Sequence, residues 1–588
     1  MSSACLRRNS LSRPESPADT ALSTTQSAAL AKTAFGKPAF TEIVSKGGMK
    51  MEKKITLPQV FADGMVLQRE QEIRIFGSAD EGTRVTAVLR GPDGEAKAQA
   101  AADSKGTFLI TLPPQRPGTG FELELSADDE EEPEITIKDV CIGDVWLACG
   151  QSNMEYFLRY DAHWNDVQHW QRDPEVRMFN VPRISYEGQP WRHEEDSGFW
   201  FQEGHEAWGV FSAPGYAFAR KIRETQGVPV GVIGCNWGGT KACCWIEESY
   251  LREEPLNVFN RDYQAEVDKW DPAELEEASL KAFAHENSYR HELEWRTVMY
   301  GLTRKEQDVW MREHANDPEL PLGPWHYYRP SGLYHTMLET IAPLAVKGVL
   351  WSQGESDDEY ADIYDQTMKT LIQCYRDTFR NETLPFLFVQ LAPFGTWLDI
   401  SGELYPAVRE KQDHAAHVIP YTAMTSVMDL GDRIDIHPKY KIEVGERLAL
   451  LARGHVYGEN ILCDPPEFHS AEMRGKTISA PDPDSSSQEG SAAVIRMHFL
   501  HAEGGLTAEE TPEYSPASCF RLFADEKEIP AGQVRTEDDM IELQAQIPYG
   551  TAVLRISFAE EAYTDVRIRN AAGLPVKPFH TQLEVELG

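Results

Sequence analysis

The sequence predicts an α/β domain set between two β-rich regions, with a helical insertion interrupting it. Three observations carry that prediction. Short apolar runs bounded by glycine recur through the middle of the chain: Asp144–Cys149 ending at Gly150, Val228–Gly234, Lys347–Trp351 and Leu384–Gln390. Runs of this kind, apolar on both faces, fit buried parallel strands. Between them, Ala213–Gln226 and Ile363–Phe379 carry apolar residues at spacings of three and four, the mark of an amphipathic helix. On either side of this pattern the chain changes to short alternating or β-branched runs punctuated by turn residues.

Taken in order, residues 1–54 read as a disordered extension rich in Ser, Thr and Ala; its first 50 residues hold seven Lys/Arg against three Asp/Glu in a chain of net charge −37. Met49 or Met51 is a plausible alternative start, since ordered patterning begins just after them. Residues 55–138 read as a β-sandwich-like domain, with Ile73–Phe76 and Arg84–Val88 as strands and turns at Asp63-Gly64, Pro92-Asp93-Gly94 and Lys105-Gly106. Residues 139–460 hold the α/β pattern. The insertion occupies about 255–320, where Tyr263–His314 is highly charged and helix-friendly, and reads as a helical insert or lid. Residues 461–588 read as a second β-rich domain, with Val494–Phe499 and Ala552–Phe558 alternating well and Pro481–Gly490 as a solvent loop.

Composition excludes several classes. With 588 residues, 41% hydrophobic and 26% charged, the chain can form more than one core and is not globally disordered. So acidic a surface repels phosphate backbones and anionic lipid, which argues against nucleic-acid and membrane partners. No apolar run reaches the roughly 18 residues of a membrane span. No apolar stretch follows the N-terminal arginines, so no secretory signal is visible. The nine cysteines form no CxxC and no Cys/His metal spacing, which gives no reason to expect zinc or any other metal. They read as buried thiols of a reducing compartment, the Cys243-Cys244 pair included, and the expected location is cytoplasmic.

Four segments carry residue types suited to acyl transfer. Gly150-Gln151-Ser152-Asn153-Met154 follows an apolar strand directly, so a tight turn there leaves the Ser152 hydroxyl exposed, although the sequence is not GxSxG. A serine nucleophile needs a base, and Asp432-Arg433-Ile434-Asp435-Ile436-His437-Pro438 offers His437, with Asp435, Asp432 and Asp429 as carboxylates to orient it. The developing oxyanion needs donors, and Asn236-Trp237-Gly238-Gly239-Thr240 supplies two glycine N–H groups after a strand. Gln353-Gly354-Glu355-Ser356 follows the next strand and would emerge at the same sheet edge. Glu355 paired with Asp435 would also suit a glycosidase, but no further carboxylate supports that chemistry.

The order Gly-Gln-Ser-Asn-Met, Gly-Gly-Thr, Trp-Ser-Gln-Gly-Glu-Ser and Asp-Ile-His-Pro resembles the sialate O-acetylesterase family of carbohydrate esterases. The resemblance extends to Phe61–Arg69, to Ile142–Trp146 and to Asn570–Phe579, so it covers most of residues 56–580. It implies an SGNH-hydrolase-like three-layer α/β/α domain and an enzyme that removes acetyl esters from sugars without metal or organic cofactor. It also implies Ser152 as nucleophile, His437 as base and Asp435 as third member, with Asp432, a backbone carbonyl or a two-residue dyad as alternatives, because the position three before His437 is Ile434. The same resemblance implies an oxyanion and substrate site formed by the Ser152 N–H, a glycine N–H at Gly238 or Gly239, and a polar group at Gln353 or Glu355. O-acetylated sialic acid is the expected substrate, with Lys241 or Arg329 as partner for its carboxylate and Trp237, Trp245, Trp325 and Tyr328 as platforms for sugar rings. An acetylated xylan or other hemicellulose oligosaccharide is the alternative substrate, and a non-catalytic carbohydrate-binding protein the alternative of a different class. The sequence departs from the family at Ser352, His335 and Cys243-Cys244, positions that bear on which sugar is bound.

Overall fold

One long strand organises the molecule. β1 (Ile135–Gly150) is apolar along most of its length and buried almost continuously from Val140 onward. Its first half pairs antiparallel with Gly118–Ala127, and its middle pairs parallel with Val66–Gln68. Its second half is the central strand of the α/β sheet. The junction is fixed by Asp144, fully buried, which accepts two hydrogen bonds from the Arg69 guanidinium at 2.9 and 3.1 Å and one from the Tyr457 hydroxyl at 2.9 Å. The N-terminal β region and the α/β domain therefore share a strand rather than a linker, and residue 139 lies inside that strand. The computed structural model describes residues 54–128, 132–189, 198–286, 294–398, 400–475 and 490–585. Residues 1–53 of the expected N-terminal extension and most of the Pro481–Gly490 loop lie outside the described residues.

The α/β sheet adds β2 (Val176–Asn180), β3 (Trp200–Gln202), β4 (Val230–Asn236), β5 (Gly348–Ser352), β6 (Phe386–Val389) and β7 (Thr422–Thr425) in the order β3-β2-β4-β1-β5-β6-β7. Every pairing is parallel except that of β3 with β2 at the edge. The apolar runs read from the sequence become β1, β4, β5 and β6. The helices α2 (Ala213–Gln226) and α8 (Lys441–His455) pack against each other, as do α6 (Tyr364–Thr378) and α7 (Tyr405–Val418). Helix α2 begins where the Ser212 hydroxyl accepts from the Gly215 N–H at 3.0 Å and ends at Gly227 with φ of 67°.

The insertion forms α3 (Asn257–Val267), α4 (Pro272–Glu286), a single turn at Thr297–Gly301 and α5 (Arg304–Glu313), whose start is secured by a reciprocal Thr303–Glu306 capping box. The C-terminal region is two four-stranded antiparallel sheets around a separate core that includes Ile495, Leu522, Leu543 and Ile556. It is tied to the α/β domain by Arg409, whose guanidinium donates to the Glu561 and Ala562 carbonyls, and by Asp429, paired with both Arg447 and Arg569. The eight described cysteines are buried and form no disulfide with one another. Among the described residues, no helix is long and apolar enough to cross a membrane.

Candidate active site

Three of the four motifs meet at the carboxyl edge of the sheet because their strands end level. Gly150 of β1 is in register with Asn236 of β4 on one side and with Ser352 of β5 on the other. The segments that follow these residues therefore leave the sheet side by side, where open α/β folds place their ligands. Gly150 has φ of +131°, and a Cβ there would lie 2.2 Å from the Ser352 carbonyl oxygen, so only glycine lets β1 turn this tightly beside β5. The turn delivers Ser152 into a short helix, α1 (Ser152–Glu155).

Asn153 joins this helix to the other two segments. Its amide nitrogen donates to Glu355 Oε1 and, at 3.2 Å, to the Ile436 carbonyl, and its oxygen accepts from Lys441 Nζ at 2.7 Å. One side chain thus ties the residue after Ser152 to the residue before His437. His437 is buried, its ring packed edge-on against Tyr300 (centroids 5.0 Å apart) and Trp397 (5.5 Å). Burial, with the positive charges of Lys441 and Arg296 nearby, pushes its imidazole down to about 3, so the ring is held neutral. Burial also brings Lys441 down to about 8, opposed by Glu355, Asp435 and Asp161.

Of the three carboxylates considered as orienters of His437, two are engaged elsewhere. Asp432 accepts from the Ile434 and Asp435 N–H groups of its own turn, and Asp429 is held by Arg447 and Arg569. Asp435 is the near one. Its Oδ1 accepts from the His437 backbone N–H at 2.8 Å, while His437 Nδ1 stands 4.0 Å away and has no hydrogen-bond partner among the described residues. A carboxylate–imidazole hydrogen bond is therefore not formed in this state.

The expected oxyanion donors divide as well. The Gly238 N–H donates to Glu155 Oε2 and so is not available to a substrate oxygen, in contrast to the role expected of it. Gln353, completely buried, spends its amide N–H groups on Asp357 and on the Thr240 carbonyl at 3.3 Å, while its oxygen accepts from Tyr364 at 2.9 Å. It braces the β4 and β5 loops against each other. Glu355 receives Asn153 on one oxygen, and its other oxygen is buried without a partner among the described residues; burial raises its carboxyl above the usual range. Gly239, with φ of +80°, sits at the turn of the same loop.

The expected sugar contacts are mostly spoken for. Trp237 stacks on Tyr327 with ring centroids 4.8 Å apart, and Trp245 is wholly buried with its Nε1–H donating to Thr240 at 3.0 Å. Lys241 lies over the Tyr360 ring at 4.4 Å, and Arg329 donates to the Ser185 carbonyl at 3.3 Å. His335 bridges Glu248 and Glu339 at 2.7 and 2.9 Å.

The sequence reading did not find Glu155. Its carboxylate is wholly buried three residues after Ser152 and carries the Gly238 N–H, Arg296 Nε and, at 3.0 Å, Arg183. A Glu in a helical turn gives no such signal by itself, because its partners are 28, 83 and 141 residues away. Lys441 was missed for the same reason.

Comparison with known proteins bears on the family and the fold. The family described as carbohydrate esterase, sialic acid-specific acetylesterase matches residues 142–283 and 321–453, which hold all four motifs. Over those residues the chain is similar to this family. Sialate O-acetylesterase of Mus musculus is 29% identical over 433 residues, covering 68% of this chain and 73% of that protein. The Homo sapiens sialate O-acetylesterase is 27% identical over 433 residues, covering 68% and 70%. A crystal structure of a carbohydrate acetylesterase from Xanthomonas citri superposes with a TM-score of 0.64 at 26% identity, over 90% of this chain and 99% of that one. The mixed α/β fold of this esterase is thus shared along nearly the whole length of the chain.

Proposed function

We propose that this protein is a serine carbohydrate O-acetylesterase whose substrate is an O-acetylated sialic acid, acting through an SGNH-like three-layer domain. The observation that carries the proposal is the level ending of β1, β4 and β5, with Asn153 bridging from the residue after Ser152 to the residue before His437. The matching family and the names of the relatives supply the ester and the sugar.

In the proposed reaction the neutral His437 imidazole takes the Ser152 hydroxyl proton as Ser152 Oγ attacks the acetyl carbonyl. The N–H groups of Ser152 and Gly239 stabilise the oxyanion, each donor contributing on the order of 10²–10³-fold. His437 returns the proton to the departing sugar hydroxyl, leaving acetyl-Ser152. Water, deprotonated by the same imidazole, then releases acetate. Gln353, Glu355 and Asn153 keep the three loops aligned, and Asp435 holds the backbone of His437.

The test is acetate release from O-acetylated sialic acid, acetylated xylo-oligosaccharide and an aryl acetate by the wild type, Ser152→Ala and His437→Ala. Both variants should lose on the order of 10⁴–10⁶-fold in kcat, as a nucleophile and its base do when removed singly. Release that persists in Ser152→Ala overturns the mechanism. A preference for the xylo-oligosaccharide moves the substrate to hemicellulose, and an inactive wild type that still binds sugar returns the reading to a carbohydrate-binding protein.

A further inference from the structure

The family match leaves residues 284–320 uncovered, and that stretch sends Arg296, Tyr300 and Gln307 toward both halves of the site. Arg296, in the turn before Thr297–Gly301, is almost wholly buried and donates through Nε to Glu155, the carboxylate that also holds the Gly238 N–H. Gly238 lies directly against the nucleophile: a Cβ added to it would stand 3.3 Å from Ser152 Cβ and 3.0 Å from Glu155 Oε2. A chain of contacts thus runs from the insertion through Glu155 to the loop packed on Ser152. A second chain runs to His437. Tyr300 packs on the imidazole directly. Gln307, also buried, accepts from the Trp397 indole N–H at 2.8 Å and donates to the Val298 carbonyl at 3.0 Å, so it ties Trp397 to the backbone of the turn that carries Tyr300.

We infer that the insertion is a positioning element of the active site, in which Arg296 sets the Gly238 loop against Ser152 through Glu155 and Gln307 sets the Tyr300–Trp397 clamp on His437. The inference rests on the proposed esterase reading and deepens it. Neither Arg296 nor Gln307 is assigned a contact with substrate. Their removal therefore acts on the rate of the bound complex and not on sugar affinity, and it acts equally on substrates that have no sugar. A buried carboxylate with one cation fewer pulls differently on its remaining donors, and a displacement of about 1 Å in a reacting group can cost 10²-fold.

The experiment compares the wild type with Arg296→Met, Arg296→Lys and Gln307→Leu on an aryl acetate and on O-acetylated sialic acid. For Arg296→Met the expected result is a fall in kcat of about 10²-fold on both substrates with KM within about threefold. Arg296→Lys, which keeps the cation and guards against a variant that fails to fold, should recover part of the rate, and added guanidinium should partly restore Arg296→Met. Gln307→Leu should move the acid limb of kcat/KM upward as the clamp on His437 loosens. The inference is overturned if Arg296→Met changes only KM for the sugar, which would make Arg296 a substrate contact. It is equally overturned if kcat on the aryl acetate is unchanged, or if the loss follows melting temperature alone without response to guanidinium. A wild type inactive on every ester overturns the esterase reading and this inference together.

Discussion

Ser152 and His437 are held by different physics. The nucleophile's side is polar and closed: Glu155 gathers a backbone N–H and two guanidinium groups, and Asn153 has a partner on each of its amide atoms. The base's side is aromatic and open-ended: two ring edges hold the imidazole, its Nδ1 is unbonded, and the nearest carboxylate stands 4.0 Å away. Directional bonds fix a loop that must not move relative to the attacking oxygen. Aromatic edges instead keep a base dry and neutral, which sets its protonation state as much as its position. The two halves should therefore break differently, the first as a loss of rate and fold, the second as a shift in pH dependence.

The polar half is the more fragile. Gly238→Ala puts a methyl group 3.0 Å from Glu155 Oε2 and 3.3 Å from Ser152 Cβ, closer than the neighbours tolerate without moving. The expected loss in kcat is about 10²-fold. The fold should suffer as well, because displacing a buried carboxylate from one of its donors leaves charge uncompensated, and breaking such a pair outright costs about 3–5 kcal/mol. Steady-state kinetics beside a denaturant melt reads both; an Ala variant with normal rate and stability would show that the Glu155–Gly238 contact is slack.

The aromatic half should speak through pH. With His437 brought down from 6.5 to about 3, the base stays neutral well into acid, so kcat/KM should remain flat as pH falls through 6.5. The same depression has a stability consequence of fixed sign. Below 6.5 the unfolded chain binds a proton that folded His437 refuses, so this contribution is whole above 6.5 and is lost progressively as pH falls toward 3. Tyr300→Leu removes one ring edge and admits water, which should raise the acid limb toward 6.5 with a smaller, severalfold loss of rate. A pH–rate profile of the two proteins decides it, and a wild-type limb already near 6.5 would mean that the ring is solvated in the working enzyme.

The same division explains what the sequence could and could not disclose. Strands β1, β4, β5 and β6 and helices α2 and α6 were legible because each is a continuous apolar run or a clean helical period. Strands β2 and β7 were not, because Val176–Asn180 carries Arg177 and Thr422–Thr425 is short and half polar. Arg177 is buried there only because Asp139 and the Gly64 carbonyl, far away in sequence, receive its guanidinium. Ser152 and His437 stood out because their chemistry demands particular residue types beside turn-forming neighbours. Glu155, Arg296 and Gln307 did not, since a buried ion pair across 141 residues and a Gln tying a distant indole to the backbone of the insertion follow no local spacing rule. Motif reading finds the atoms that react. It does not find the atoms that hold them still.

The smallest expected effect is the most discriminating for the base. In a serine triad the third carboxylate accepts the imidazole N–H, and converting it to the amide costs about 10⁴-fold because the wrong tautomer results. Here Asp435 Oδ1 already serves the His437 backbone N–H at 2.8 Å, a task that an Asn oxygen can perform equally well. Asp435→Asn should therefore lose less than about tenfold in kcat, whereas Asp435→Ala, which frees the backbone of the loop, should lose more; a well-placed partner that holds orientation without sharing a proton is worth about one hydrogen bond to a charged group. If Asp435→Asn instead falls by the triad's factor, the carboxylate must close the remaining gap when substrate binds, and the aromatic clamp then orients a ring that a carboxylate finally polarises. Comparing the two Asp435 variants in single-turnover acetylation separates a backbone anchor from a third catalytic group, because only the latter distinguishes Asn from Asp.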